Sequence, residues 1–289
     1  MLKVRIIGVV LVKNGIAVQS IGFKRYLPIG KPEISIQYLN RWGIDEIVVL
    51  HIDDTQNKMP PTSEQVKSYA AHCQVPLSIG GGISTIENVK KIIRAGADKI
   101  ILNTSIISDP ELIQKSGDLF GQQCVVASID ARRTANQEWM TYTHGGKKET
   151  GMTASSLAQK MQSDGAGEIL LTSIDQDGSK QGYDLNLIQS ISDIVDIPVI
   201  ACGGAGHPKH ACEAIQAGAC AVAVGNLFHF SEHSVILFKK YLKSFNQPVR
   251  LDSYVDYKHS DLDQHARILK QSDDVLNTLR FQYIPEEVI

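Results

Sequence analysis

Three segments of this 289-residue chain recur at a single offset, and that repeat constrains the fold more than any other feature. DEIVVLHIDD, from Asp45, aligns with GEILLTSIDQDG, from Gly167, so that Glu46 and Glu168 lie 122 positions apart. VPLSIGGG and IPVIACGG match at the same spacing through Pro76 and Pro198, and AGADKIILNTS and AGACAVAVGNL through Gly96 and Gly218. Three separate matches at one offset mean that two similar halves make up the chain. Two halves that close on each other give a barrel. An open doubly wound sheet has no comparable reason to repeat itself.

The strand pattern agrees. Apolar, β-branched runs fall at 4–12, 45–52, 75–79, 98–103, 124–130, 167–175, 197–202 and 220–226. Between them lie stretches of helical period, among them EQVKSYAAHC, TIENVKKIIRAG, ASSLAQKMQSDG and HPKHACEAIQAG. Strands that are apolar throughout and alternate with helices form parallel sheets covered on both faces. Eight such units predict an α/β fold, a (β/α)8 TIM barrel with twofold half-barrel repeat, over residues 1–251. Residues 252–289 form a C-terminal extension, predicted to be partly helical from the stripe Leu262, Ala266 and Leu269, with a late aromatic pair, Phe281 and Tyr283.

Charge excludes some function classes. Lys+Arg 29 against Asp+Glu 31 leaves a net charge of −2, and no overall field draws the chain to nucleic acid or an anionic membrane. Five cysteines without a CxxC pair read as reduced thiols of a cytoplasmic protein. The N-terminal apolar run is too short for a signal peptide or a membrane span.

The end of the third strand of each half is rich in glycine: Gly80-Gly81-Gly82 in the first, and Gly203-Gly204 followed by Gly206 in the second. The next strand ends in Asn103-Thr104-Ser105 or in Gly225-Asn226. Glycine lets the backbone approach a ligand and turn N–H groups toward an anion, and hydroxyl and amide side chains complete a cup. In a barrel both cups lie on the catalytic face, which predicts a small ligand phosphorylated at both ends.

RIIGVVLVKNG, LSIGGGI, AGADKIILNTS, ASIDARR, GAGEILLTSIDQDGSKQGYD, ACGGAG and LFHF together resemble the cyclase subunit of imidazole glycerol phosphate synthase, the HisF type, from about residue 3 to 251. The resemblance implies a barrel that docks a HisH-type glutamine amidotransferase on the N-terminal face of its strands. Ammonia passes through the barrel to a ribulosyl ribonucleotide, giving imidazole glycerol phosphate and aminoimidazole carboxamide ribotide. No cofactor or metal is implied. Carried over by position, the phosphate sites fall on Gly82, Asn103 and Thr104, and on Gly203, Gly204, Gly225 and Asn226, where the family more often has serine at the last. Thr172 and Asp177 match further substrate positions. The salt-bridged ammonia entrance matches Arg5, Glu46, Lys99 and Glu168, and Asp98 matches a residue facing the glutaminase. The four entrance residues start strands, so they can form a ring of alternating charge at the bottom of the barrel.

The resemblance breaks at the catalytic pair. The family places one aspartate at the end of strand 1 and one at the end of strand 5. Asp130 keeps the second, but Leu11 stands in place of the first, and leucine neither gives nor takes a proton. Loss of one member of such a pair costs on the order of 10²–10⁴ in rate. Gln19 replaces a lysine on the mobile loop after strand 1, and His51 replaces an aspartate, where it can titrate or pack against Asp53.

Scaffold, cups and entrance without the dyad resemble barrel subunits associated with surface-polysaccharide synthesis. Those subunits serve a glutaminase and an N-acetyl sugar amidotransferase that makes acetamidino sugars, and this is the reading taken from the sequence. The alternative is a working imidazole glycerol phosphate synthase cyclase in histidine biosynthesis. A third reading is a non-catalytic barrel that activates its glutaminase. His207 and His210 read as helix-start packing rather than metal ligands, His229 as structural, and 136–148 as a hairpin covering the mouth.

Overall fold

The computed structural model describes residues 3–53, 59–229, 233–253, 255, 257, 260–269, 272 and 274. The first strand, β1 (Arg5–Lys13), runs into a hairpin of β2 (Ile16–Ile21) and β3 (Arg25–Gly30) before α1 (Pro32–Arg41) and β4 (Glu46–His51). The first half continues with α2 (Ser63–Ala71), β5 (Leu77–Gly80), α3 (Ile86–Arg94), β6 (Lys99–Leu102), α4 (Thr104–Ser108) and α5 (Glu111–Phe120). The second half repeats the plan: β7 (Val125–Arg133), a hairpin of β8 (Trp139–Thr143) and β9 (Lys148–Thr153), α6 (Ala154–Ser163), β10 (Glu168–Ser173), α7 (Leu185–Ser192), β11 (Val199–Cys202), α8 (Pro208–Gln216), β12 (Ala221–Val224) and α9 (Ser234–Ser244).

Eight of these strands close a parallel barrel in the order β1, β4, β5, β6, β7, β10, β11, β12, with β12 pairing back onto β1 from Arg5↔Ala221 to Gly8↔Val224. All eight predicted runs are barrel strands, and the fold is the (β/α)8 barrel that the repeat implied. The strands read as apolar throughout because each face is buried against something different. Ile7, Val9, Val48, Ile101, Val126, Leu170 and Ile200 fill the interior, while Ile6, Val10, Val12, Ile47 and Val49 pack outward with the helices. Burying each such side chain contributes about 1.5–3 kcal/mol. Helices start where a side chain accepts an otherwise unpaired N–H: Thr62 in a capping box with Gln65, Thr85, Thr153 and Asp184.

The predicted hairpin after strand 5 is β8–β9. The segment after strand 1, expected as a mobile loop, is instead the antiparallel hairpin β2–β3. Asn14 and Gly15 turn β1 into β2, both with positive φ (51° and 75°), as a two-residue hairpin turn requires.

Beyond α9 the chain crosses the bottom of the barrel, where the Val4 N–H donates to Pro248 O at 2.9 Å. The expected helical stripe does not form. Leu262 bridges Ile268 in an antiparallel turn, closed by the Asp263 carboxylate accepting the Arg267 N–H at 2.9 Å, and Ala266 takes a left-handed φ of 59°. Aspartate's habit of bonding nearby backbone outweighs the weak apolar period here. Phe281 and Tyr283 lie outside the described residues. Among the described residues no helix is long and apolar enough to cross a membrane.

Candidate functional site

Side chains alternate along a strand, so residues 5, 7, 9 and 11 of β1 face the barrel axis in successive layers. The lowest layer is charged. Arg5 bridges Glu46 (2.7 Å) and Glu168 (2.8 Å), and Lys99 bridges the same two carboxylates at 3.0 and 2.9 Å. The four make a closed square of alternating sign. Ser78 adds a hydroxyl donor to Glu46 Oε1 at 2.8 Å, and Glu46 is only 1 % exposed. Burial works against the Arg5 charge, but the two carboxylates outweigh it and raise its pKa. Asp98 sits exposed at the same face, with one oxygen accepting the Leu77 N–H at 2.8 Å.

Above the square lies the apolar layer of Ile7, Val48, Ile101, Val126, Leu170, Ile200 and Ala221, and above that the barrel opens into a cavity of about 900 Å³. Its walls bring together Gly82, Asn103, Thr104, Asp130, Thr172, Asp177, Gly203, Gly204, Gly225 and Asn226, residues from both halves. Glycine is required at Gly204, with φ of 105°, where a Cβ would strike the Gly182 carbonyl.

The cavity floor is two-sided. On one side Leu11 stands beside Leu50 in the β1–β4 register, and on the other Asp130 stands beside Thr172 in the β7–β10 register. Burial, followed by the neighbouring Asp177 charge, pushes the Asp130 carboxyl up to about 7, against a hydrogen bond from Thr172. Asn103 Nδ2 donates to Asp130 Oδ2 (3.2 Å) and to Ser128 O (3.1 Å). Asp177 is also raised by burial, though it accepts from the Ser20 hydroxyl (2.6 Å) and the Phe23 N–H (3.1 Å). Cys202, between them, is held as a thiol by burial, its pKa pushed up to about 12. Burial drives His229 down to about 4, so the imidazole in the cavity wall is neutral.

Other nominated residues are held by neighbours or lie outside the cavity, although His51 still lines it. His51 bonds Tyr69 Oη on α2 at 3.1 Å and lies 3.9 Å from Asp53, so the packed arrangement is the one formed. Burial lowers its pKa, with Asp53 opposing. Gln19 pairs with Leu27 between β2 and β3, outside the cavity lining. His207 caps α8 by accepting the Lys209 N–H, and His210 accepts the Gly206 N–H at 3.2 Å. Among the described residues no group of three or more His, Cys, Asp or Glu could hold a metal ion.

Sequence reasoning missed the cations of the rim. Lys13, Lys24, Arg132, Lys147 and Lys180 all line the cavity, together with Tyr26 and His144. Their scattered positions gave no cluster to read. The Asn14-Gly15 turn was the available signal, because it sends Phe23, Lys24 and Tyr26 back over the mouth. The two hairpins meet there: a Cβ on Gly146 would lie 3.0 Å from Phe23 Cδ2.

A family model described as histidine biosynthesis protein matches residues 5–234. Over 264 residues, covering 91 % of this chain and 97 % of the relative, the sequence is 40 % identical to a Vibrio vulnificus protein named "Putative imidazole glycerol phosphate synthase subunit hisF2". It is 44 % identical over 251 residues to the imidazole glycerol phosphate synthase subunit HisF of Endomicrobium trichonymphae, covering 86 % and 96 % of the two chains. The HisF subunit of Pyrococcus furiosus is 43 % identical over 253 residues, 87 % of this chain and all of the relative.

Proposed function

Because the chain belongs to the histidine biosynthesis protein family, among the HisF-type cyclase subunits of imidazole glycerol phosphate synthase, we propose that it joins ammonia to a phosphorylated acceptor at the barrel mouth. The ammonia comes from a glutamine amidotransferase docked at the opposite face. One observation carries this reading: the charged square of Arg5, Glu46, Lys99 and Glu168 sits on the barrel axis, one apolar layer below the cavity. A buried ion square is poor evidence for stability, since desolvation offsets most of its attraction. As an entrance it is well suited to a neutral nucleophile. The apolar layer above it favours NH₃ over NH₄⁺, whose charge is costly to bury.

At the mouth, a carboxyl with a pKa of about 7 is present as both acid and base near neutrality, which suits proton transfer to and from a reacting nitrogen or oxygen. Asp130 takes that role. Asp177 is the second carboxylate within its field, and the cationic rim attracts phosphate. The acceptor favoured by the relatives' names is the ribulosyl ribonucleotide that yields imidazole glycerol phosphate, with Asp130 and Asp177 as the working pair. This reading displaces the sugar reading from first place.

The acetamidino-sugar reading, with an N-acetyl sugar amidotransferase as further partner, retains one specific observation. Leu11 is part of the apolar side of the floor and leaves no acid there. Purified chain supplied with the ribulosyl ribonucleotide and ammonium salt separates the two. Formation of imidazole glycerol phosphate is expected. Its absence, with glutaminase stimulation retained and ammonia delivered to a sugar amidotransferase, would transfer the conclusion to the sugar reading. Stimulation with no ammonia delivery leaves only an activating role.

A further inference from the structure

Leu11 belongs to an apolar strip on one wall of the cavity. On β1 it stands beside Leu50 of β4 and opposite Val18 of β2. All three line the cavity, and Leu11 and Leu50 stay partly uncovered although they sit inside the barrel. Apolar surface left open within a cavity is surface that an apolar part of a ligand can cover. The register carries the wall upward. Leu11 pairs with Val18, Lys13 with Ile16 and Ser20 with Tyr26. Alternation therefore puts Leu11, Lys13, Val18, Ser20 and Tyr26 on one face of the β1–β2–β3 ladder, and all five line the cavity.

Tyr26 completes this wall. Its hydroxyl donates to Phe23 O at 3.0 Å, and Lys13 Nζ lies 4.1 Å from its ring centroid. The phenol proton is thus engaged within the hairpin. Burial, followed by the Asp177 and Asp130 charges, raises the Tyr26 pKa, so the side chain is neutral. What it presents to a ligand is π surface with a cation beside it. Asp130 and Thr172 hold the polar side of the same floor. An ionic or strongly hydrogen-bonding group laid on the Leu11 side would lose hydration without gaining a partner. An alkyl group would cover Leu11 and Leu50 but gain nothing from Lys13. An aromatic ring gains from both.

We propose that Tyr26, with Leu11, Leu50 and Lys13, is a specificity-determining wall that takes the heteroaromatic ring of a nucleotide-type ligand. Position 11, where no acid stands, then has a binding task of its own. The ring lies on the Leu11 side while the reacting end of the ligand lies over Asp130. This deepens the reading of the mouth given above, in which the acceptor is phosphorylated, and rests on it. Ring binding requires neither ammonia nor a partner, however, so its failure is distinguishable from failure of the ammonia reading.

The test is calorimetric titration of the full chain with ribose 5-phosphate, and with AMP and UMP, which add a purine or a pyrimidine to the same sugar phosphate. Both nucleotides are expected to bind about tenfold or more tightly than ribose 5-phosphate. Tyr26→Leu is expected to bring AMP and UMP close to the ribose 5-phosphate value measured in the same variant, whereas Tyr26→Phe, which keeps the ring, retains the difference. Leu50→Asn, which puts an amide into the apolar strip, is expected to narrow the difference too and serves if Tyr26→Leu does not fold. Hexyl phosphate is the alkyl control and is expected to bind more weakly than either nucleotide. Nucleotides no tighter than ribose 5-phosphate, no measurable binding of any of them, a difference retained in both Tyr26→Leu and Leu50→Asn, or hexyl phosphate as the tightest ligand would each overturn the proposal.

Discussion

Asn103 Nδ2 donates to Asp130 Oδ2 over 3.2 Å, joining a predicted cup residue directly to the floor carboxyl. The proton on Asp130 therefore bears on both chemistry and stability. Its folded pKa, about 7, is raised from an ordinary 3.8, so between those values the folded chain binds more protons than the unfolded one. Stability contributed by the neutral form is thus lost as pH rises from about 4 to 7. At 1.36 kcal/mol per unit, the ceiling on that loss is about 4 kcal/mol. Asp130→Asn is expected to be more stable than the parent at pH 8 and equal to it at pH 3, as measured by denaturant unfolding. Turnover should fall by about 10²–10⁴.

Lys99→Met tests the charged square. The substitution leaves Glu46 and Glu168 with Arg5 alone in a poorly hydrated position. Breaking a buried pair from one side costs about 3–5 kcal/mol, to be read as a drop in the unfolding midpoint. If the square is the ammonia entrance, glutamine-dependent turnover in the complex falls while turnover with ammonium salt is preserved. Equal loss of both would mark the square as purely structural.

Leu11→Asp places a carboxylate beside Leu50, on the apolar side of the floor opposite Asp130. The expected stability cost is about 1–3 kcal/mol, because the new carboxyl is only partly solvated and unpaired. Its charge would push Asp130 higher still. A gain in imidazole glycerol phosphate formation would show that the strand-1 acid was limiting. An unchanged rate would show that Asp130 and Asp177 suffice.

The contact between the hairpins offers a reversible staple. A Cβ on Gly146 would lie 3.6 Å from Phe23 Cβ, within the spacing that a disulfide spans. Phe23→Cys with Gly146→Cys, oxidised, is expected to slow ligand association by about tenfold or more if the mouth must open between the hairpins. Reductant should restore the rate. Equal association rates in the oxidised and reduced protein would show that ligand enters elsewhere.

Much of this molecule was legible without coordinates. The 122-residue repeat and eight apolar runs determine a closed barrel, because strands buried on both faces need helices outside and one another inside. The period of two along each strand then dictates that Arg5, Glu46, Lys99 and Glu168 share one layer and that Leu11 and Asp130 face one floor. The C-terminal stripe misled, because local aspartate bonding decided that segment.

Tertiary structure alone decided how the mouth is closed and charged. Ser20 meets Asp177 across 157 residues and Asn226 across 206, and no local pattern encodes such contacts. The raised Asp130 and Asp177 and the cationic rim arise from that closure. Burial and neighbouring charge are properties of the assembled cavity, and the residues acquire them only when both halves have folded around it.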